Sequence, residues 1–461
     1  MNHWIFELRL LARDRGARLV LIGWIALLSY AGYGGWNAVQ VLRVDQARFV
    51  EAAAHERSAE RERMAAVEAG SAPADAYVGF PSILRSPVLL PVPALAALDL
   101  GLLDRANLTL RVSLFNGPQQ SAKGRELQSP LLLSTGRFDL GFVAIVLLPL
   151  ALLALLFAQP GDDRGDGRLP LLAAQTPLSA LYLRRHVVRM LALLLSLAAI
   201  SAATALAAGG VAALTGWLLW IAPMLGWAML WSGACALLGS RTSSSATALA
   251  WLVTLWVALL WLLPAALDTL ASRLAPSPTA LSLLGAERAA AQEGQRRRDE
   301  LFDVYVSDHP ELSVETAQDA LAWTRRYYVQ QRFIAEAMAP PRAAAESRQA
   351  AHRQLRGQLL WLSPAQALTA ASERTAGVDL ASVSRFMTAA DAHKQAWDDA
   401  LFRPLLAGRT LGTAELDRLP RFVAPPTVAA ASTALMLFVQ LSMLALLLWL
   451  AARWRVLAAR N

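Results

Sequence analysis

The chain has 461 residues, 56% of them hydrophobic, with a mean hydropathy of +0.38, a balance that excludes an ordinary soluble globular protein. Its formal charge of +8 rests on arginines that are dispersed and flank apolar runs, which excludes a concentrated nucleic-acid-binding face. Cys235 is the single cysteine, so no intrachain disulfide forms and any region outside a bilayer is held by packing.

Residues 1–18 hold four arginines, Arg9, Arg13, Arg15 and Arg18, ahead of the apolar runs. The first of six apolar runs follows at 19–42. About 20 apolar residues cross a hydrocarbon core of roughly 30 Å. This run is too long for a signal peptide and lacks a small-residue cleavage site. Asp45–Glu68 continues it without Pro or Gly, and its strong helix formers predict a helix projecting beyond the membrane.

A proline-rich piece comes next, and then Leu108, Leu110, Val112 and Leu114 alternate with polar residues. That period predicts a half-buried strand, ended by Asn116-Gly117-Pro118. The stretch 43–138 is therefore expected to be a mixed α/β outer domain. The second span is placed at 139–158, followed by a short loop at 159–186. Spans three and four, 187–208 and 211–238, are separated by Gly209-Gly210, a pair suited to a tight turn. A fifth span occupies 246–268.

The second long polar stretch, 269–425, is expected to be mainly helical, with helices at Glu287–Val306, Val314–Met338 and Ala343–Leu362 between proline-marked breaks. Arg296-Arg297-Arg298 suits an acidic ligand, although a solvated helix face is the commoner explanation. Trp323 with Arg325-Arg326-Tyr327-Tyr328 suits either stacking on a substrate or interhelical packing. The sixth span, 426–452, leads to a tail at 453–461.

Charge orients the chain. Arginines 9, 13, 15 and 18, then 164, 168, 184, 185 and 189, then 241, and finally 453, 455 and 460 all fall on one side if there are six spans. Basic residues in short loops favour the cytoplasm, so both termini are expected there and both long stretches outside.

Catalytic signatures are missing. No Gly-x-x-x-x-Gly-Lys-Ser/Thr loop for nucleotide phosphates occurs, the six histidines show no metal-ligand spacing, and there is no Gly-x-Ser-x-Gly elbow. Ser243-Ser244-Ser245 beside a span reads as loop. The spans carry almost no ionisable side chains, which argues against a gradient-coupled transporter. The chain is expected not to be an enzyme, and not to bind a metal or cofactor itself.

The loop after span two reads Gly161-Asp162-Asp163-Arg164-Gly165-Asp166-Gly167-Arg168-Leu169-Pro170-Leu171-Leu172, with Pro177 and Ser179 beyond it. It resembles the loop of type-2 ABC exporter permeases, in which an acidic stretch, Gly, Leu-x-x-Leu and Pro precede a short helix touching the ATPase. Glu7-Leu8-Arg9 with Arg13-Asp14-Arg15 resembles the amphipathic connecting helix before the first span in the same class, in which Trp4, Phe6, Leu8 and Leu11 would supply the membrane-facing side. The whole layout resembles the bacterial ABC-2 type permease family with a large extracytoplasmic region of unknown function. The shared features are Gly136-Arg137-Phe138-Asp139-Leu140, Ser363-Pro364-Ala365-Gln366-Ala367-Leu368, Gly377-Val378-Asp379, Arg385-Phe386 and Phe402-Arg403-Pro404-Leu405. One departure is that Asp162, Asp163 and Asp166 precede Gly167-Arg168 where the family carries glutamates before Gly-Thr.

The resemblance implies an α-helical membrane protein with six transmembrane helices of the ABC type-2 exporter kind. It implies ATPase-coupling roles for Asp163, Asp166, Gly167, Leu169, Leu172, Pro177 and Arg184, and a connecting helix marked by Glu7, Arg9 and Arg13. Its expected partners are two copies of an ABC ATP-binding subunit, which hold the ATP and Mg, and a second permease, as a homodimer or a paralogous heterodimer. It further implies surrounding membrane lipids in a bacterial inner membrane and periplasmic large domains, where a periplasmic or outer-membrane partner would be met, and no nucleic acid partner is expected. The alternative is a subunit that transmits force to an envelope partner and transports nothing. Apolar spans rich in tryptophan suit a lipid-like path, but anchoring and packing explain them as well.

Overall fold

A computed structural model describes residues 3–73, 78–104, 108–118, 138–242, 244–276, 280–310, 319–406, 410–426 and 431–458. Gly136-Arg137, Ser243, the start of the expected helix at Val314 and the first residues of the sixth span at 427–430 lie outside the described residues.

Helix α1 (His3–Arg13) is divided from α2 (Arg15–Glu68) by Asp14 alone. The Asp14 carboxylate accepts from the backbone N–H groups of Gly16 and Ala17, at 2.9 and 3.2 Å, and so caps the second helix. Helix α2 has 54 residues and at 1.5 Å per residue is about 80 Å long. This exceeds a hydrocarbon core of roughly 30 Å, so the expected Asp45–Glu68 extension exists as one unbroken helix. Strands β1 (Arg85–Leu89) and β2 (Thr109–Ser113) pair antiparallel, with Arg85 opposite Ser113 and Leu89 opposite Thr109.

The next elements are α3 (140–156), α4 (Gln159–Gly165), α5 (Leu169–Gln175), α6 (Leu178–Gly209), α7 (Ala213–Arg241) and α8 (Ser245–Leu274). Between α6 and α7 the chain turns at Gly210, whose φ of +64° is the conformation glycine supplies. After these come α9 (Ala280–Arg296), α10 (Arg298–Asp308), α11 (Asp319–Leu359), α12 (Pro364–Ala376), α13 (Leu380–Leu406), α14 (Thr413–Arg418) and α15 (Ala431–Ala458). Among the described residues six helices are long and apolar enough to cross a membrane: α2, the segment Leu140–Gly165, α6, α7, α8 and Ala431–Ala452 within α15. The chain is an α-helical membrane protein.

Helix α7 is the axis of the bundle. Its Trp220, Trp227 and Trp231 are fully buried among α3, α6 and α15, so packing accounts for these three. In α3 a π turn spans Val143–Leu147, and Pro149 follows it. Pro149 has no N–H to offer the Ile145 carbonyl four residues back, and the Trp227 indole donates to that oxygen instead at 3.0 Å. Trp256 of α8 donates to the neighbouring Val146 carbonyl, also at 3.0 Å. In a bilayer, where no water is at hand, a replacement such as that from Trp227 is required.

The two long polar stretches build one head around one core. Met64 of α2, Val88 and Leu110 of the hairpin, and Phe386, Trp397 and Leu401 of α13 belong to the same buried cluster. The Leu411 N–H donates to the Gly79 carbonyl at 2.8 Å, and the Thr413 hydroxyl donates to Glu68 at 2.8 Å. Helix α12 leaves the head and joins the bundle: Ala365, Ala367, Leu368 and Ala371 share the core of the spans. The joint is close at Gly35, where an added Cβ would overlap the Ala97 carbonyl.

Two helix boundaries differ from the sequence expectation. The helix expected over Glu287–Val306 is broken at Arg297, between α9 and α10. The break expected near the prolines does not occur, and α11 runs through Pro340-Pro341. Each proline removes one helical hydrogen bond, but the carbonyls freed belong to Glu336 and Ala337, both exposed and open to water. Arg296 pairs with Glu293 and Arg297 with Glu300 on the surface, while the Nε of Arg298 is buried. Trp323 stacks on Tyr327 at 4.9 Å, Tyr327 meets Phe115 edge-on at 4.6 Å, and Arg325 lies over Phe302. Trp323 and Tyr327 lie one turn apart on α11 and Phe115 follows β2, so the contact between helices is that of Arg325 with Phe302, and Trp323 stays 50% exposed.

Candidate functional site

The bundle end that carries α1 gathers three short pieces: α1 itself, the α4–α5 loop and the first turns of α6. Glu7 and Leu11, one turn apart, form the buried edge of α1, while Trp4, Phe6 and Leu8 are exposed. Leu11 therefore packs into the protein core rather than on the membrane-facing side expected of it.

Arg185 of α6 ties these pieces together. Its guanidinium donates to Asp163 Oδ2 at 2.8 Å and its Nε stands 3.7 Å from Glu7 Oε1. The Tyr182 hydroxyl donates to the same Asp163 oxygen at 3.0 Å, and Arg185 also lies over the Tyr182 ring. Both acids are buried, and a buried carboxylate has to find a cation or several donors. One cation here serves two acids from two elements.

Arg164 makes a second tie. It donates to the carbonyls of Gly239, Ser240 and Thr242, at 3.1, 2.9 and 2.5 Å, which belong to the last turn of α7 and to the residue that caps it. A cation at a helix C-terminus meets both unsatisfied carbonyls and the negative end of the dipole. Ser245, at the start of α8, donates to Asp162. The acidic loop is thus clamped to α6, α7 and α8, while α5 itself has no fully buried residue and Leu171 is 70% exposed.

Of the residues singled out in the sequence, Glu7 and Asp163 are brought together through Arg185. Asp166 forms a surface pair with Arg168 at 2.9 Å, and Gly167 takes the turn with φ +68°. Leu169 and Leu172 are half-buried on α5, Pro177 caps α6, and Arg184 reaches Thr176 Oγ1 at 3.4 Å. Arg9 and Arg13 are exposed, away from the cluster. Sequence reasoning missed Tyr182 and the structural role of Arg185 and Arg164. Tyr182 and Arg185 lie one helical turn apart, which could have marked them as one face.

A second polar cluster sits at the head end. Asp99 lies in the segment between spans one and two and is fully buried; it accepts from the Ser372 hydroxyl of α12 and from the Gly101 N–H at 3.1 Å. Ser372 in turn accepts from the Trp220 indole at 2.8 Å. Burial first, and Glu373 second, push the Asp99 carboxyl above the usual carboxylate range. Asp139, next to it, accepts from the N–H groups of Leu100 and Phe142. This cluster joins the head to α7 and to the start of α3.

Residues 280–424 match a family described as a domain of unknown function, DUF3526. The match covers much of the head together with α12. No curated protein and no solved structure matches the chain at a significant level.

Proposed function

We propose that the chain is the membrane subunit of an ATP-driven transporter of the ABC type-2 exporter kind. A separate ATPase docks on α4 and α5, and supplies the nucleotide site with its ATP and Mg. The observation that supports this reading is the Glu7–Arg185–Asp163 tie beside the exposed α5. A push on the loop would move α1 and the root of α6 as one piece, since all three share buried charges that are costly to separate. In this reading the α1 end is cytoplasmic, the head is periplasmic in a bacterial inner membrane, and two permease subunits pair with two ATPases.

The test uses Leu171→Cys, which is exposed, in a chain whose only native thiol, Cys235, is buried. Co-expressed with a candidate ATPase, this variant should form a crosslink through a short bismaleimide. Val211→Cys, 78% exposed at the opposite end of the bundle, should form none. Equal crosslinking at both positions, or none at Leu171→Cys in a co-purified complex, would sink the docking site.

A second reading is carried by α2. One helix runs from the bundle to Glu68 within the head core, so motion of the spans could act on an envelope partner without moving a solute. Inserting Gly-Pro near Ala53 breaks the helix and should abolish head-dependent output while ATP hydrolysis by the partner continues. Unchanged output rejects the lever. Proteoliposomes that hydrolyse ATP but move no solute would favour the mechanical reading over transport.

A further inference from the structure

Between α5, α6, α7 and α15 lies a cavity of about 700 Å³, within the range of ligand pockets. Along α7 it extends from Met229 to Ser240, about 16 Å at the helical rise. That is the depth of one leaflet of a hydrocarbon core roughly 30 Å thick. Val187, Met190, Leu446 and Leu450 form apolar walls, and no Asp or Glu is among its lining residues.

Among the side-chain polar atoms lining this cavity, one is fully buried and without a partner, His186 Nε2. His186 is 1% exposed, and its Nε2 makes no hydrogen bond. Its Nδ1 lies 2.8 Å from the Tyr182 carbonyl oxygen. A carbonyl only accepts, so Nδ1 carries the proton and Nε2 of the neutral ring is a bare acceptor. The ring is held edge-on against Trp449 at 4.9 Å, so it cannot swing away without disturbing that wall. A buried acceptor left unmatched is costly.

The lining selects the chemistry of an occupant. A plain hydrocarbon would fill the walls and leave Nε2 unpaired. A carboxylate at His186 would bring negative charge against a lone pair, and Arg164, the one lining arginine, already donates to the carbonyls of Gly239, Ser240 and Thr242. An ammonium would find no acid among the lining residues to balance it. A long apolar chain with a hydroxyl satisfies both the walls and the acceptor.

We propose that this cavity binds a single-chain amphiphile of one-leaflet length whose hydroxyl donates to His186 Nε2. The chain would lie between α6 and α15, against Val187 and Leu446. The site is independent of whether an ATPase docks on α5.

The full-length protein in nanodiscs, given a diazirine-bearing hexadecanol, tests this. Illumination should label α6 near Val187–Met190 or α15 near Leu446–Leu450, located by mass spectrometry. Hexadecanol should compete at roughly three- to tenfold lower concentration than its methyl ether, which has the same chain but no donor, as one hydrogen bond predicts. His186→Leu should abolish that preference, and Ala236→Trp, which fills the cavity, should cut labelling tenfold or more. Equal competition by alcohol and ether in the unaltered protein, or labelling confined to other helices, overturns the proposal. The alcohol–ether contrast needs no variant and decides the matter even if Ala236→Trp fails to fold.

Discussion

The polar clusters at the two ends of the bundle solve the same problem by opposite means. At the α1 end, two buried carboxylates from α1 and α4 face a guanidinium. At the head end, Asp99 faces only a hydroxyl and a backbone N–H, with Glu373 nearby as a second acid. A cation neutralises charge over a wide range of pH, whereas neutral donors leave the carboxyl's state to its proton. The α1 end is therefore a fixed tie, suited to passing force between elements. The head joint is expected to weaken as the Asp99 carboxyl loses its proton. If the first cluster proved dispensable or the second insensitive to pH, the contrast would collapse.

The largest expected effect is at Arg185. Arg185→Leu strands Asp163 and Glu7 in a buried site, and removing one partner of a buried pair costs about 3–5 kcal/mol. Its side chain is 18% exposed, so the lower end of that range applies. Thermal unfolding in one fixed detergent and lipid mixture should show the loss, and adding Asp163→Asn should recover part of it. A loss below about 0.5 kcal/mol, as for a surface pair, would break the comparison.

Next in size is Gly35→Ala at the head joint. The new methyl group meets the Ala97 carbonyl rather than a flexible side chain, and overpacking of this kind costs about 1–3 kcal/mol. Proteolytic release of the head, followed by mass, reads it directly. Asp99→Asn follows. Burial raises the folded carboxyl above its unfolded value, so its contribution is fully present below the ordinary carboxylate pKa of about 3.9 and is lost as pH rises through the folded value. The unaltered protein should lose stability between pH 4 and 8 relative to Asp99→Asn, by on the order of 1 kcal/mol. Parallel curves for the two proteins would remove the proton from the head joint.

Much of this architecture was legible in the sequence because it rests on local pattern. The bilayer-length runs, the Pro- and Gly-free segment 45–68, the alternation at 108–114 and the Gly209-Gly210 turn each depend on neighbours in the chain. What escaped depends on partners far apart. Nothing near Ser372 or Asp99 announces that they meet, 273 residues apart. The sharing of one core by both polar stretches also needs the fold, since Val88 and Phe386 meet only there. The prolines at 340 and 341 misled because their effect depends on water reaching two freed carbonyls. At the candidate site, Asp163 and Glu7 were visible as acids in basic segments, but the residue that joins them, Arg185, had looked like one more orienting charge.

The smallest expected effect gives the comparison its sharpest control. His393 of α13 shares a hydrogen bond with Ser86 of β1 at 2.8 Å, inside the head. Burial lowers its pKa below the ordinary 6.5, so the fold holds the neutral ring. Its contribution is present above the unfolded pKa and is lost as pH falls towards the folded one, which is the opposite sign to Asp99. Head stability should therefore decline on the acid side of about pH 6.5 by a few tenths of a kcal/mol. His393→Gln keeps a hydrogen-bonding group for Ser86 and should flatten that acid limb while leaving the decline with rising pH owed to Asp99, which runs through the same range with the opposite sign. Asp99→Asn should do the reverse. Unfolding midpoints of the two variants and their double mutant from pH 4 to 8 separate the limbs. If both limbs moved together in either single variant, the head's pH response would belong to one coupled network rather than to two sites of opposite sign.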